Sequence, residues 1–306
     1  MQGKPVVEVE NLRKAYGRLV AVDAVSFEVR AGEIFGMVGP NGAGKTTTIE
    51  CIEGLRRPDG GRVRVLGLDP RREAYALQPR IGVQLQESAL QDRIKVWEAL
   101  DLVASLYPRS VDWQPMLAQL GLADRRSASF GKLSGGQKQR LFVALALVND
   151  PEVVFLDELT TGLDPQARHA MWDLVRGIRD QGKTIFLTTH FMEEAERLCD
   201  RVAIMDQGHI VALDSPGNLI RGLGDESRVV FSAEGEFAAA ELERLSSVTR
   251  VESAGDGFVV YGRGDRLLPE VVNALSTAGL RFRELHTERS TLEDVFLALT
   301  GRRMRG

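Results

Sequence analysis

Apolar and polar residues alternate in two segments near the start of the chain, which predicts β-strands with one face in water. The segments are VVEVE at 6–10 and VSFEVR at 25–30. Successive side chains of a strand point to opposite faces, so a period of two collects the apolar side chains on one face. Strands with one wet face are typical of antiparallel sheets, and we expect both segments to lie in such a sheet.

Four later segments are continuously apolar and predict strands that are buried on both faces. They are IFGMVG at 34–39, VVFLDE at 153–158, TIFLTTH at 184–190 and RVAIMDQG at 201–208. Helical periodicity alternates with these segments, at 44–54, 96–106, 134–148, 165–181 and 191–198. Apolar strands that alternate with helices indicate an α/β domain built on a mostly parallel sheet with helices on both faces.

The pattern changes after DSPGNLIRGLGDES at 214–227, a Gly-, Ser- and Pro-rich stretch that predicts a linker. The expected elements beyond it are strands 228–232, 248–253, 257–262 and 281–287, with helices 235–246, 266–279 and 291–300. Their order is the β-α-β-β-α-β of a small ferredoxin-like α+β domain, with one helix added. We therefore expect a first domain at 4–220, a linker at 221–227, and an accessory or dimerisation domain at 228–306.

Composition limits the classes of partner. The 306 residues include 43 acidic and 39 basic side chains, a net charge of −4, which argues against a broad electrostatic grip on nucleic acid. Cys51 and Cys199 lie far apart and predict reduced, buried thiols in a cytosolic protein. The N-terminus lacks the apolar core of a signal peptide, and no apolar run approaches the about 18 residues that span a bilayer. Any action on a membrane is therefore expected to need a partner.

The segment GPNGAGKTTT at 39–48 predicts a phosphate-binding loop. Gly39 to Thr46 fits G-x-x-x-x-G-K-[ST] between a predicted strand and a predicted helix. The glycines let successive backbone N–H groups curl around an anion, and the positive end of the helix points to the same place. Lys45 supplies a point charge for the outer phosphates, and the Thr46 hydroxyl can bind Mg²⁺.

The end of the segment VVFLDE supplies the other groups that phosphoryl chemistry needs. Asp157 ends a predicted buried strand and can hold Mg²⁺ through water. Glu158 is the adjacent carboxylate and can polarise an attacking water. Together with the phosphate-binding loop, this pair predicts hydrolysis of a nucleotide.

A second glycine-rich turn, LSGGQKQR at 133–140, predicts another anion site at a helix N-terminus. Ser134 stands at the N-cap position, and Gly135 and Gly136 expose their N–H groups ahead of a long helix. A single nucleotide needs only one phosphate-binding loop, so a second one calls for an explanation.

With these motifs, the sequence resembles the ATP-binding cassette (ABC) ATPases over residues 4–220. The resemblance rests on GPNGAGKTT, LSGGQKQR, VVFLDE, TGLD at 161–164 and a lone His190 after a strand, all in the family's order. It implies a P-loop cassette fold with a helical subdomain and an antiparallel β subdomain. In this family each ATP lies between the phosphate-binding loop of one chain and the LSGGQ turn of another, so the resemblance implies a homodimer with two shared sites.

The resemblance also assigns roles by position. Tyr16 resembles the aromatic residue that stacks on adenine, Asp164 the residue that runs along the dimer interface, and His190 the histidine that contacts the γ-phosphate and orders Glu158. Gln86 resembles the glutamine that binds Mg²⁺ and senses the γ-phosphate; Gln84 competes with it, but Gln86 fits the spacing better.

The expected site thus has three overlapping sets of residues. The catalytic set is Glu158, His190 and Gln86, and the Mg²⁺ set is Thr46, Gln86 and Asp157. The ATP-binding set is Tyr16, Gly39, Asn41, Gly42, Ala43, Gly44, Lys45, Thr46, Thr47, Ser134, Gly135, Gly136, Gln137 and Asp164.

One position departs from the family pattern. The family usually has proline after Asp-Glu, whereas this chain has Leu159 in LDELTTGLDP. Replacing proline frees an N–H group and loosens the turn, so we expect a less rigid link from Glu158 to Asp164 and slower hydrolysis.

The branch of the family is inferred from what surrounds these motifs. There is no second phosphate-binding loop, and the distance from Lys45 to Ser134 leaves no room for a long coiled coil, so transport is the leading interpretation. The segment ESALQDRIKVWEAL, just after Gln86, lies where transport members receive a short helix of a separate membrane permease. We therefore expect a peripheral subunit on the cytoplasmic face of the membrane; the alternative is a non-transport ATPase that acts on a soluble macromolecular complex.

The end of the chain narrows the branch further. TLEDVFLALTG at 291–301 resembles the C-terminal signature of ABC-2 exporters that confer drug resistance or antibiotic self-protection. The resemblance implies efflux of a drug, an antibiotic or a lipid-like molecule. Helical spacing places Leu292, Val295, Phe296 and Leu299 on one apolar face of this segment.

Overall fold

The computed structural model describes residues 5–86, 89–224, 226–234, 239–254 and 257–301. The chain divides into two compact units, and the division falls between Pro216 and Gly217. This division lies ahead of the predicted linker at 221–227. The two units are described separately below.

The strands of the first unit are β1 (Pro5–Tyr16), β2 (Leu19–Arg30), β3 (Ile34–Val38), β4 (Gly60–Val65), β5 (Ile81–Gln84), β6 (Val153–Asp157), β7 (Thr184–Thr189), β8 (Arg201–Asp206) and β9 (His209–Asp214). Its helices are α1 (Lys45–Ile52), α2 (Ala74–Leu77), α3 (Val96–Ala104), α4 (Trp113–Gln119), α5 (Gly135–Leu147), α6 (Pro165–Asp180) and α7 (Met192–Leu198). Helix α8 (Pro216–Gly222) begins at the division between the units.

A six-stranded sheet forms the centre of the first unit, with the order β5-β6-β7-β3-β8-β9. All neighbouring pairs are parallel except β8 and β9, which are antiparallel. Every residue of β3, β6 and β7 is buried, as their continuous apolar segments predict. This arrangement confirms the predicted α/β class and aligns the ends of β3, β6 and β7 at one edge of the sheet.

A separate antiparallel sheet has the order β2-β1-β4. The alternating segments of the sequence lie in β1 and β2, where Val7 and Val9 are buried and Glu10 is exposed. The core lies between the two sheets: Phe27 of β2 stacks on Phe35 of β3 with ring centroids 5.2 Å apart. Helix α1, which follows the phosphate-binding loop, is anchored in this same core.

The second unit contains β10 (Glu226–Glu234), α9 (Ala239–Glu243), β11 (Val248–Ala254), β12 (Gly257–Arg263), α10 (Leu267–Thr277), β13 (Arg281–Arg289) and α11 (Leu292–Thr300). The elements follow in the β-α-β-β-α-β order expected from the sequence, and the sheet is antiparallel with the order β11-β12-β10-β13. Its core is its own, with Phe231, Val260 and Val271 among its buried members. On α11, Leu299 is exposed, so the expected apolar face is shorter by one residue.

The stretch 214–227, expected to be a linker, instead contains helix α8. Pro216 opens the helix because its fixed φ suits a first turn and its missing N–H has no partner there anyway. Gly224, two residues after the end of the helix, has a φ of +91°. The Pro and Gly residues that indicated a linker therefore start and stop a helix. None of the described helices has the length and the apolar character that crossing a membrane requires.

Candidate nucleotide-binding site

The loop at 39–44 connects the end of β3 to the start of α1, and its backbone geometry requires glycine at two positions. A Cβ on Gly39 would lie 2.1 Å from the carbonyl oxygen of Met205. Gly44 has a φ of +104°, and a Cβ there would lie 2.3 Å from the carbonyl oxygen of Ala21. The loop is therefore pressed against neighbouring backbone and cannot accept side chains at these points. Its shape leaves the first N–H groups of α1 without helical partners.

Lys45 is buried at the centre of this loop. Its Nζ donates hydrogen bonds to the carbonyl oxygens of Gly39, at 2.8 Å, and Pro40, at 3.2 Å. It also lies 3.5 Å from Oε1 of Glu158. Burial lowers the pKa of Lys45, and the charge of Glu158 opposes that shift. The loop thus holds a cation whose partners a phosphate oxygen could replace.

The oxygen ligands expected for Mg²⁺ lie together beside Lys45. Oγ1 of Thr46 is 3.4 Å from Oε1 of Gln86, and the Asp157 carboxylate also forms a hydrogen bond with Thr46. Burial raises the pKa of Asp157, and a hydrogen bond from the Thr188 hydroxyl opposes that shift. Hydroxyl, amide and carboxylate oxygens are hard ligands that suit Mg²⁺. Within the described ranges no cluster of three His, Cys, Asp or Glu forms a metal site.

The competing residue Gln84 points elsewhere. Its side-chain nitrogen donates to the carbonyl oxygen of Leu85, at 2.6 Å, and its side chain is buried. Only Gln86 of the two is placed against Thr46 by a hydrogen bond. The geometry thus agrees with the spacing argument for Gln86. Glu87 and Ser88, the next two residues of the expected permease-facing segment, lie outside the described residues.

Glu158 has a left-handed backbone conformation, with a φ of +49°. Its amide donates to the carbonyl oxygen of Thr188 and to the hydroxyl of the same residue, both at 3.1 Å. The carboxylate lies between Lys45, the Thr161 hydroxyl, which donates to Oε2 at 3.2 Å, and His190. A non-glycine residue with positive φ that is buried and held by several bonds is typical of an active site.

His190 is close to Glu158 without forming a hydrogen bond to it. Its Nδ1 is 3.3 Å from Oε2 of Glu158, but the atoms are not aligned, and Nδ1 has no hydrogen-bond partner. The imidazole packs on Phe191, with ring centroids 4.1 Å apart. The histidine is therefore next to the carboxylate and able to bond to a group that enters the site.

Thr188 is a functional position that the sequence analysis missed. Its hydroxyl donates to the Asp157 carboxylate and accepts from the Glu158 amide, so one side chain of β7 positions both acidic residues at the end of β6. The signal in the sequence is a polar residue inside an otherwise apolar buried strand, at the level where the neighbouring strand ends in Asp-Glu.

Glu194 of α7 is a second residue that was not foreseen. It is buried, and its carboxylate accepts a hydrogen bond from the Trp172 indole at 2.9 Å. Burial raises the pKa of Glu194, and the Thr189 hydroxyl and the Trp172 indole oppose that shift. Glu194 therefore links α7 to α6 through a buried hydrogen bond between side chains.

The second glycine-rich turn forms the N-terminus of α5. The Ser134 hydroxyl accepts from the Gln137 amide at 3.3 Å, and the Gln137 side chain accepts from the Ser134 amide at 3.0 Å. This capping box uses the side chains of both residues, so an anion would be bound here by the free N–H groups of the first turn, beginning with Gly135 and Gly136. Nothing obstructs a side chain at Gly135, which faces open space.

The two anion-binding turns are separate in the structure. Helix α1 packs against strands of both sheets, whereas α5 packs against β5, α3 and α4. Among the described residues, no hydrogen bond or ion pair joins the loop at 39–47 to the turn at 134–137.

The remaining expected residues are at the periphery. Asp164 caps α6 by accepting from the Ala167 amide at 2.8 Å. Tyr16 is 41% exposed, and the Arg56 guanidinium lies 5.3 Å from its ring centroid. Asn41, Gly42 and Thr47 are only partly covered or exposed, and Ala43 is buried. These positions leave the aromatic ring and the outer face of the loop accessible to a nucleotide.

Leu159 fills the position where the family has proline. Its side chain is buried. Two hydrogen bonds hold the turn around it: the Thr161 amide donates to the Glu158 carbonyl oxygen and the Leu163 amide to the Thr160 carbonyl oxygen, both at 3.2 Å. The slower hydrolysis expected from this substitution stays a prediction.

Comparisons with known proteins found a matching family model and similar proteins. A family model described as "ABC transporter" matches residues 22–161. The chain is 40% identical over 311 residues to the Nod factor export ATP-binding protein I of Ralstonia nicotianae, which covers 98% of this chain and 95% of that protein. It is 41% identical over 308 residues to the protein of the same name from Burkholderia orbicola, with coverages of 97% and 98%.

Solved structures are similar over about 70% of the chain. The ATP-binding subunit of an ABC transporter has a TM-score of 0.65 and 29% identity, covering 72% of this chain and 93% of that one. A bacterial ABC transporter cassette solved as a dimer has a TM-score of 0.60 and 25% identity, covering 68% of this chain and 98% of that one.

Proposed function

The chain belongs to the ATP-binding, ATP-hydrolysing subunits of the ABC transporters, and from this premise we propose that two copies close around two ATP molecules to drive a separate exporter permease. The observation that carries the proposal is the presence, in one chain, of a complete phosphate-binding loop and of a second capped helix N-terminus that is not joined to it. Each turn is the complement that the other needs, which a head-to-tail pair of identical chains supplies.

The residues of the chain divide the chemistry as follows. The loop N–H groups and Lys45 bind the β- and γ-phosphates, and the first turn of α5 from the partner copy covers the γ-phosphate. Glu158, held by Thr188 and Thr161, accepts hydrogen bonding from the attacking water and polarises it. His190 orients Glu158 and the γ-phosphate. Phosphate binding draws Lys45 away from Glu158, which frees that carboxylate to bond to water.

Thr46, Gln86 and Asp157 are the residues that would hold Mg²⁺. Bound by these residues, Mg²⁺ would neutralise negative charge on the phosphate oxygens. Gln86, which accepts a hydrogen bond from Thr46, is also the residue that we propose senses the γ-phosphate.

A pair of variants tests the shared site. Glu158→Gln is expected to bind ATP, to hydrolyse it at least about 100-fold more slowly, and to sediment as a dimer with ATP. Ser134→Arg places bulk and charge on the turn that faces the partner's nucleotide, and it is expected to abolish hydrolysis while ATP binding to the intact loop persists. A strictly monomeric chain that hydrolyses ATP at full rate would contradict the proposal.

The permease and cargo are proposed on other grounds. We infer a cytoplasmic-face location, with the segment after Gln86 contacting the permease and a cargo that is a drug, an antibiotic or a lipid-like molecule. The relatives named for Nod factor export and the C-terminal segment TLEDVFLALTG support export. The test is to purify a tagged chain with its membranes: an integral membrane protein that co-purifies in stoichiometric amount and stimulates hydrolysis is expected, whereas a soluble complex would favour the non-transport alternative.

A further inference from the structure

A cleft opens between the end of α1, strand β5 and helices α3 and α5, with a volume of about 670 Å³. Its rim carries apolar side chains in contact with solvent: Leu106 is 72% exposed and Leu55 is 62% exposed. Leu85, at the end of β5, is also exposed. These leucines surround an opening that is large enough to receive the side chains of a helix.

Glu53, which follows α1, lines this cleft and is buried, with 8% of its surface exposed. Neither carboxylate oxygen has a hydrogen-bond partner among the described residues. Oε1 of Gln84, another buried lining atom, also has no donor. The cleft therefore contains three buried side-chain oxygens that have no hydrogen-bond partner among the described residues.

The electrostatic surroundings of Glu53 make this lack of a donor costly. The charged groups that act on it are Asp157 at the end of β6 and Glu50 on α1, both of them acids. Tyr107, beyond α3, also lines the cleft. A buried acid with only acidic neighbours destabilises a fold unless a donor or a cation is supplied. The part of the chain that the structure describes supplies none at this point, whereas the buried acid Glu33 is paired with Arg201 at 3.1 Å.

We propose that Glu53 is a recognition residue that receives a lysine or arginine side chain from an apolar helix of the membrane partner, docked in this cleft. This inference rests on the proposed function in one respect, because it takes the membrane partner to be the permease. The leucines of the rim provide the apolar contact, and Glu53 with Gln84 provides the acceptors for one cation at its centre. A cation with several donors fits these oxygens better than a hydroxyl or an amide group does.

The protonation state of Glu53 agrees with this role. Burial raises the pKa of Glu53 to about 9, and the charges of Asp157 and Glu50 act in the same direction. The free chain therefore carries a neutral carboxyl group at pH 7. Arrival of a cation favours the carboxylate, so docking releases a proton and strengthens as the pH rises toward 9.

The first experiment locates the partner segment. A photo-crosslinking amino acid is placed at Leu106 on the rim and, as a control, at Tyr75, which is 93% exposed and is not among the residues of the cleft. After irradiation of cells that express the full chain, the Leu106 adduct is digested and sequenced. The expected peptide comes from an integral membrane protein, is helical and apolar, and contains Lys or Arg. A peptide without a cation, or the same adduct from Tyr75, would overturn the proposal.

The second experiment tests the charge itself. Glu53→Gln is expected to lower the recovery of the complex at pH 8 at least about tenfold. Changing the identified Lys or Arg of the partner to Met is expected to lower the recovery by the same factor. The two changes together are expected to lower the recovery no further than either change alone. Glu53→Lys combined with the partner's cation changed to Glu is expected to restore the complex. Glu33→Gln is the control for neutralising a buried acid elsewhere. Recovery within twofold of wild type for Glu53→Gln, with ATP binding retained, would overturn the proposal.

The outcomes separate this inference from the proposed function. ATP binding and cooperative unfolding of each isolated variant are measured first, and Glu53→Met, which also removes the carboxyl group, replaces Glu53→Gln if that variant fails to fold. A stimulated, membrane-bound complex that is indifferent to Glu53 would leave the exporter function standing and remove only the role of Glu53. A chain that forms no ATP-dependent dimer, however Glu53 is altered, would remove the proposed function instead.

Discussion

At the scale of single residues, Thr188 bears on hydrolysis although it contacts no expected ligand. Its hydroxyl donates to Asp157 and accepts from the amide of Glu158. Thr188→Val removes both bonds while keeping the shape of the side chain. A hydrogen bond to a charged group contributes about 1.5–3 kcal/mol, so we expect hydrolysis to fall at least tenfold and the Mg²⁺ requirement to rise. The measurement is the steady-state rate as a function of Mg²⁺ concentration.

Thr184→Val is the matched control, because it is made at the other end of the same strand. Thr184 is also buried, and its hydroxyl accepts from the Gly32 amide at 2.9 Å. Its replacement should lower stability by a comparable amount and leave the Mg²⁺ dependence unchanged. Equal losses of activity in the two variants would reduce Thr188 to a purely structural role.

Glu53 makes a second prediction at this scale, on stability as a function of pH. Its pKa is about 9 in the folded chain and near 4.5 in the unfolded chain. Between these values the folded state retains a proton that the unfolded state releases, so the free energy of unfolding falls as the pH rises. The loss reaches at most about 1.4 kcal/mol per pH unit. We expect urea unfolding at pH 6, 7 and 8 to show the isolated wild type losing stability relative to Glu53→Gln; parallel curves would exclude a buried neutral Glu53.

Residue types and spacing predicted the groups at the ends of the strands because those groups follow local motifs. Lys45, Thr46, Asp157, Glu158 and Gln86 are brought together by the alignment of β3, β5 and β6. Contacts between segments distant in sequence were not predictable in this way. Thr188 and Glu194 act through partners on other elements, and a single sequence does not show which buried polar side chains will meet.

At the scale of elements, the turn from β3 into α1 depends on backbone approach more than on side chains. Gly44→Ala would force a methyl group to within 2.3 Å of the Ala21 carbonyl oxygen, at a φ of +104°. We expect the loop to shift and ATP affinity to fall more than tenfold, measured by equilibrium binding of a fluorescent ATP analogue. Gly182→Ala is the control: it also has a positive φ, +89°, but faces open space. Gly182→Ala should lower the free energy of unfolding by only about 1 kcal/mol, which is the cost of a left-handed backbone at a residue other than glycine. Its affinity for ATP should be unchanged.

The sequence predicts the bounds of a helix or strand well where its pattern of apolar and polar residues is long and regular. The long helices α5 and α6 begin and end within one residue of their predicted bounds, because capping residues Ser134 and Asp164 mark their starts. Short elements without a clear period, such as β4 and α4, were not predicted. The sequence predicts one strand at 201–208, but the strand β8 ends at Asp206. Gln207 and Gly208, both with positive φ, form the turn that connects β8 to β9. Residues 235–238 of the predicted helix 235–246 lie outside the described residues.

At the scale of the whole molecule, each unit has a hydrophobic core among its described residues, and these two cores share no residues. Phe186 belongs to the core of the first unit and Phe231 to that of the second. The residues expected to bind the nucleotide all lie in the first unit. Separate cores of this kind unfold as separate cooperative units when the contacts within each exceed those that join them.

Calorimetry of the full chain is therefore expected to show two transitions, and nucleotide should raise only one of them. ATP at 100 times its dissociation constant stabilises the state that binds it by about 2.7 kcal/mol, so the transition of the first unit moves up while the other stays in place. Phe231→Ala removes a buried ring and should lower only the transition that ATP does not affect, by about 3–5 kcal/mol of stability, whereas Phe186→Ala should lower the ATP-sensitive one. A single transition that shifts as a whole with ATP and with both variants would show that the two units fold as one.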